Sequence, residues 1–180
     1  MGVKNYLIEG VSGTGKTTVA EELQRRGYHV IHGDRELSYV GNPETGEPLD
    51  GFAHESVTDS VTSVHEHHIW DVDKVKSVIA DHRNAISFFC GGSRNLSRFI
   101  DLFDGVFVLD VDFDTLNRRL ALRPEDEFGG RPAERELIVR LHATKEDIPK
   151  GGVVIDATLP LAVVVDEIVS KCSGSGSKGV

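Results

Sequence analysis

Short, continuous apolar runs alternate along the 180-residue chain with stretches where apolar positions recur every three or four residues. The runs are Tyr6-Leu7-Ile8, Tyr28-His29-Val30-Ile31-His32, Ala85-Ile86-Ser87-Phe88-Phe89-Cys90, Val106-Phe107-Val108-Leu109-Asp110 and Val153-Val154-Ile155-Asp156. Runs of this length bounded by turn residues predict buried strands. After the first run, Val19, Ala20 and Leu23 fall at helical spacing, and Arg25, Arg26 and Gly27 supply a basic last turn and a glycine stop. The same spacing predicts helices over 114–122, 132–146 and 161–171, and a polar, interrupted helical region over about 55–81. Residues 41–51 (GNPETGEPLDG) and 123–131 (RPEDEFGGR) predict loops.

This alternation predicts a three-layer α/β/α sandwich around a five-stranded parallel sheet. Such sheets bind ligands beyond the carboxyl ends of their strands, so the informative residues should follow each strand. Residues 1–172 are expected to form a single domain, and 173–180 (SGSGSKGV) have the composition of a flexible linker.

After the first strand, Gly10, Gly15, Lys16 and Thr17 fit G-x-x-x-x-G-K-S/T, with Val11, Ser12, Gly13 and Thr14 between them, and Thr18 follows. This is the phosphate-binding P-loop (Walker A) pattern, here in its strand–loop–helix context. Gly10, Gly13 and Gly15 let the backbone approach phosphate oxygens, and the helix beginning near Lys16 adds its positive dipole end. Lys16 is expected to reach the β- and γ-phosphates of ATP, and Thr17 to place its hydroxyl on Mg²⁺.

Composition narrows the class. A net charge of −9 argues against a partner of nucleic-acid type held by phosphate contacts. The two cysteines, Cys90 and Cys172, are too few for a disulfide framework. With no signal-like N-terminus and no apolar run of spanning length, the expectation is a cytoplasmic enzyme without a membrane partner, monomeric or homodimeric.

Two later stretches also carry chemistry. LNRRLALR places Arg119 and Arg123 four apart, on one helix face. CGGSRN, closing the third strand, holds Gly91, Gly92 and Arg94. With the P-loop, these features resemble the P-loop small-molecule kinases, which include adenylate, shikimate and gluconate kinases, and the resemblance covers roughly residues 4 to 170. It implies transfer of the γ-phosphoryl group of Mg-ATP to a small-molecule acceptor, beneath a mobile lid over about 123–132. Arg119 and Arg123 are similar to the paired arginines where the adenylate kinase helix enters the lid, which would set Arg119 against adenine and Arg123 near the phosphates. Arg131, after Phe128-Gly129-Gly130, resembles the lid arginine of shikimate kinases, with Gly129-Gly130 as a hinge or a plain surface turn.

Asp34 follows the second strand, where shikimate kinases carry an aspartate near the acceptor hydroxyl and the metal. It can orient or deprotonate an attacking hydroxyl, hold a Mg²⁺ water, or cap a helix. Arg35 beside it either binds substrate or pairs with Asp34. Arg94 resembles the arginine that grips the acceptor phosphate in adenylate kinases, although Cys90 stands where those enzymes have aspartate. His65-Glu66-His67-His68 lacks the spacing of a zinc helix and is expected to be a solvated face. Trp70 and Phe52 are expected in the core, with stacking on a base or sugar as the alternative. The acceptor is a nucleoside or nucleotide, or else a hydroxylated metabolite such as shikimate or gluconate; a regulatory ATPase is the alternative of another class.

Overall fold

The computed structural model describes residues 3–50 and 59–174. The predicted strands form at Lys4–Glu9 (β1), His29–His32 (β2), Ile86–Cys90 (β5), Gly105–Asp110 (β6) and Val153–Asp156 (β7). They pair in parallel in the order β2-β5-β1-β6-β7. Ile8 lies opposite Cys90 on one side and Phe107 on the other, so β1 is central. The chain leaves β1 toward β2 on one flank and later fills β6 and β7 on the other. The carboxyl end of β1 therefore sits where the strand order reverses, the position at which open α/β sheets hold ligands.

Helices α1 (Lys16–Arg25), α5 (Phe113–Ala121), α6 (Pro132–Thr144) and α7 (Leu161–Gly174) follow their expected spans, α7 running three residues past the predicted end. Side-chain alternation splits the core in two. Tyr6, Ile8, Phe88, Cys90 and Phe107 face α1, α5, α6 and α7 through Leu23, Leu116, Leu120, Ile138 and Ile168. Leu7, Ile31 and Phe89 face the opposite layer, which contains Trp70, Val75, Leu96 and Phe99.

That second layer departs from expectation. The polar region is two helices, α3 (Asp59–Glu66) and α4 (Val72–Ile79), separated by a three-residue strand, β4 (His68–Trp70). Its first residues and Phe52 lie outside the described residues, as do residues 175–180 of the tail. β4 pairs antiparallel with β3 (Ser38–Val40), Tyr39 opposite Ile69, and the short helix α2 (Gly33–Glu36) links β2 to β3. Two causes break the helix. Ile69 and Trp70 are fully buried, Trp70 stacking on Phe99 with centroids 5.7 Å apart. Asp71 then caps α4, its side chain accepting from the N–H groups of Asp73 and Lys74. Trp70 is thus a core residue. No helix among the described residues is long and apolar enough to cross a membrane.

Candidate functional site

The β1–α1 turn has the backbone its glycines predict. Gly13 and Gly15 have φ of +95° and +102°, in the left-handed region, and a β-carbon on Gly13 would lie 2.7 Å from Leu116. Thr14 closes the turn, its N–H and hydroxyl both bonding the Val11 carbonyl at 3.1 and 2.8 Å. Lys16 donates its ammonium to the Gly10 carbonyl, and Thr17 and Thr18 stand exposed on the first turn of α1. Ser12 through Val19 line a cavity of about 890 Å³, with Asp34, Arg35, Arg119 and Arg123 on its other walls.

Arg119, on α5, and Arg123, two residues past its end, both reach this loop. Arg119 bonds the carbonyls of Gly13 (3.3 Å) and Thr14 (3.1 Å) through Nη1 and that of Ala157 (2.8 Å) through Nη2. It ties the loop to the end of β7. Arg123, just past the end of α5, donates to Ser12 Oγ at 2.8 Å and to the Phe128 carbonyl.

Arg131 does not join them. It is exposed ahead of α6, its N–H bonded to Glu134 Oε2 at 3.2 Å, and it lines neither this cavity nor the one described below. Gly129-Gly130 is closely packed in this structure. A β-carbon on Gly130 would lie 1.9 Å from the Pro124 carbonyl, and Arg135 bonds both glycine carbonyls at 3.0 and 2.9 Å.

A second cavity, of about 380 Å³, adjoins the first and shares Ser12, Lys16, Asp34 and Phe128 with it. Glu9, the last residue of β1, projects into its lining from the sheet. The residue is only 2% exposed; Oε1 accepts the Gly10 N–H at 3.0 Å, and Oε2 has no partner among the described residues. Burial pushes the Glu9 carboxyl up to about 7, opposed by the Lys16 charge, the Gly10 N–H and the Arg94 charge.

Asp34, at the start of α2, behaves differently. Burial would raise its carboxyl, but a 3.2 Å contact with His68 Nε2, the Lys16 charge and the Gly92 N–H together hold it below its ordinary value. Of these two carboxylates, Asp34 stays ionised and Glu9 titrates near neutrality. Gly91 and Gly92 make room for both, since β-carbons there would lie 2.7 Å from Asp34 Oδ1 and 2.8 Å from Glu9 Oε1.

Arg94 also lines the second cavity, but its guanidinium is ion-paired with Asp147, in the loop after α6. Asp147 meets His65 Nε2 at 2.5 Å as well. The histidine run is therefore not a solvated face: His65 and His68 line the cavity, and the His67 ring bonds the Ser63 carbonyl. No group of three or more metal-ligating side chains occurs among the described residues. Cys90 is buried beneath the site, where desolvation raises its thiol well above its ordinary value and leaves it inert.

Sequence reasoning missed Glu9 and Asp147. Glu9 carried a signal, a carboxylate in the last position of an otherwise apolar central strand, directly before Gly10. Asp147 carried none, because its partner lies on a distant element.

Comparison with solved structures places this architecture among kinases. A sugar kinase from Janibacter sp. superposes with a TM-score of 0.56 at 18% identity, covering 96% of each chain. Deoxyadenosine kinase from M. mycoides with bound dATP gives 0.56 at 17%, covering 95% of this chain and 100% of that one. Shikimate kinase from Bacteroides thetaiotaomicron gives 0.58 at 14%, covering 94% and 98%. At these identities the likeness is one of fold. Comparison with curated proteins finds no match. The sequence model of the AAA domain matches residues 7–140, from β1 through the phosphate loop, Arg119 and Arg123 into α6, and the chain belongs to that P-loop family.

Proposed function

We propose that the chain is an ATP-dependent phosphotransferase that moves the γ-phosphoryl group of Mg-ATP to a hydroxyl of a small molecule. The observation that carries this reading is the meeting of two cavities at Lys16 and Asp34, one walled by the phosphate loop and the other ending on the buried Glu9 carboxyl, whose Oε2 has no partner among the described residues. A regulatory ATPase needs only the first. The kinase architecture of the solved relatives supports the same reading.

The loop fits a nucleoside triphosphate: left-handed glycines, a helix start, and Lys16, Arg119 and Arg123 on the walls. The Thr17 hydroxyl, with Asp34 nearby on the cavity wall, would hold Mg²⁺, which supplies neutralisation of phosphate charge. Lys16 and Arg123 stabilise charge on the transferring group. The acceptor hydroxyl lies between the carboxylates; its oxygen bonds the γ-phosphorus, the bond to the β-phosphate oxygen breaks, and ADP leaves. Glu9 takes the hydroxyl proton, because a base that titrates near neutrality is better matched to that task than an ionised Asp34, which orients the hydroxyl.

The acceptor is a nucleoside or nucleotide, or in a second reading a hydroxylated metabolite. The test follows γ-labelled ATP with mixed acceptors of both kinds. Label in an organic product, lost in Lys16→Ala, is the expected result. Release of label only as inorganic phosphate would replace the kinase with a regulatory ATPase.

A further inference from the structure

The second cavity contains three carboxylates, Glu9, Asp34 and Asp147, and two cations, Lys16 and Arg94. Neither cation is free to receive an anion carried by the acceptor. Lys16 faces the Gly10 carbonyl and the phosphate side, and Arg94, with 15% of its side chain exposed, is bound to Asp147. Burial would raise Asp147, but His65 and Arg94 hold it below its ordinary value, so the pair stays charged and closed. A phosphate or carboxylate on the acceptor would enter beside carboxylates with no unpaired partner, an unfavourable burial. A hydroxyl group meets the opposite situation, because carboxylates and imidazoles accept its proton. Apart from Ser12 and the glycines, the rest of the lining is apolar, and Val64, Phe128, Ile138, Leu141 and Ile148 offer an apolar wall to a ring.

Resting on the phosphotransfer reading, we infer that the acceptor is an uncharged molecule of the nucleoside class, its hydroxyls at Glu9 and Asp34 and its ring on the apolar wall. Asp147 sets this choice by neutralising Arg94. It is a specificity residue that acts through the arginine.

The experiment compares ADP release from Mg-ATP with neutral nucleosides, nucleoside monophosphates, gluconate and shikimate, for the wild type, Asp147→Asn and Asp147→Glu. Nucleosides should accelerate release by the wild type, and the anionic acceptors should leave it at the acceptor-free rate. Asp147→Asn frees Arg94 and should raise kcat/KM for an anionic acceptor relative to its neutral counterpart by about tenfold. Asp147→Glu, which keeps the pair, should retain the wild-type preference. Preference of the wild type for an anionic acceptor would overturn the inference, as would equal losses on all acceptors in Asp147→Asn with Asp147→Glu intact. Acceptor-independent ADP release would instead overturn the kinase reading. In that event calorimetric titration with a non-hydrolysable ATP analogue bound still decides the class: nucleoside binding supports it, and tighter binding of monophosphates or sugar acids overturns it.

Discussion

A β-carbon on Gly92 would stand 2.8 Å from Oε1 of Glu9, so the absence of a side chain at the end of β5 sets where the β1 carboxylate can lie. Gly92 is not in the left-handed region, and alanine there strains no backbone. The clash falls on the carboxylate alone. Gly92→Ala should therefore leave the melting temperature nearly unchanged and lower kcat by about tenfold or more, as misplacement of a reacting group does. Steady-state kinetics beside a thermal melt would check this; wild-type kcat would remove Glu9 from the reaction.

Glu9 itself links activity and stability to pH with opposite signs. Acting as a base, it must be ionised, so kcat/KM should rise with pH and level off above about 7. Were Asp34 the base, its lowered value would leave the profile flat across that range. Stability runs the other way. The folded state holds the Glu9 proton up to about 7, whereas the unfolded chain releases it near 4.5, so this contribution is complete below 4.5 and lost as pH rises through 7. Glu9→Gln should consequently gain on the wild type between pH 5 and 8, by at most about 3 kcal/mol, while losing turnover. Denaturant melts across that range measure the gain, and a constant difference would contradict the raised value.

The phosphate loop and the sheet were legible because their signals are local. Gly10 to Thr17 carry their chemistry in consecutive positions, and strands such as Phe88-Phe89-Cys90 announce themselves as uninterrupted apolar runs covered on both faces. The hairpin was not legible. Three residues in β3 and three in β4 give no measurable period, and Trp70 is buried in a cluster with Leu37 and Phe99, its N–H on Ser93, that no window reveals. On the acceptor side the partner of Arg94 was hidden for a related reason. Arg94 alone suggests an anion site, and only the fold brings Asp147 against it. The two resemblances assign Arg123 to the phosphates and Arg131 to a lid, and in this structure only Arg123 lines the cavity.

That contrast is measurable. Arg123→Ala removes the contact to Ser12 and a cation from the nucleotide cavity, and should reduce kcat/KM for ATP by about a hundredfold, in the range of lost charge-stabilising donors. Arg131→Ala removes an exposed side chain from a position bonded through its backbone, and should change kcat/KM less than about threefold. Reversal of this order would mean that the loop after α5 refolds over the nucleotide and brings Arg131 inward.

Lys16→Ala is the sharpest single test of the nucleotide site. Lys16 lies on the shared border of the two cavities, and its charge acts on both Glu9 and Asp34. Its loss should lower turnover by about a thousandfold or more while the melting temperature stays within a few degrees. A second signature is specific to this geometry. The Lys16 charge counters the burial that raises Glu9, so without it any residual activity should rise at a higher pH than in the wild type. A pH profile of Lys16→Ala with an unmoved midpoint would place the titrating group somewhere other than Glu9, even where the loss of rate is as large as expected.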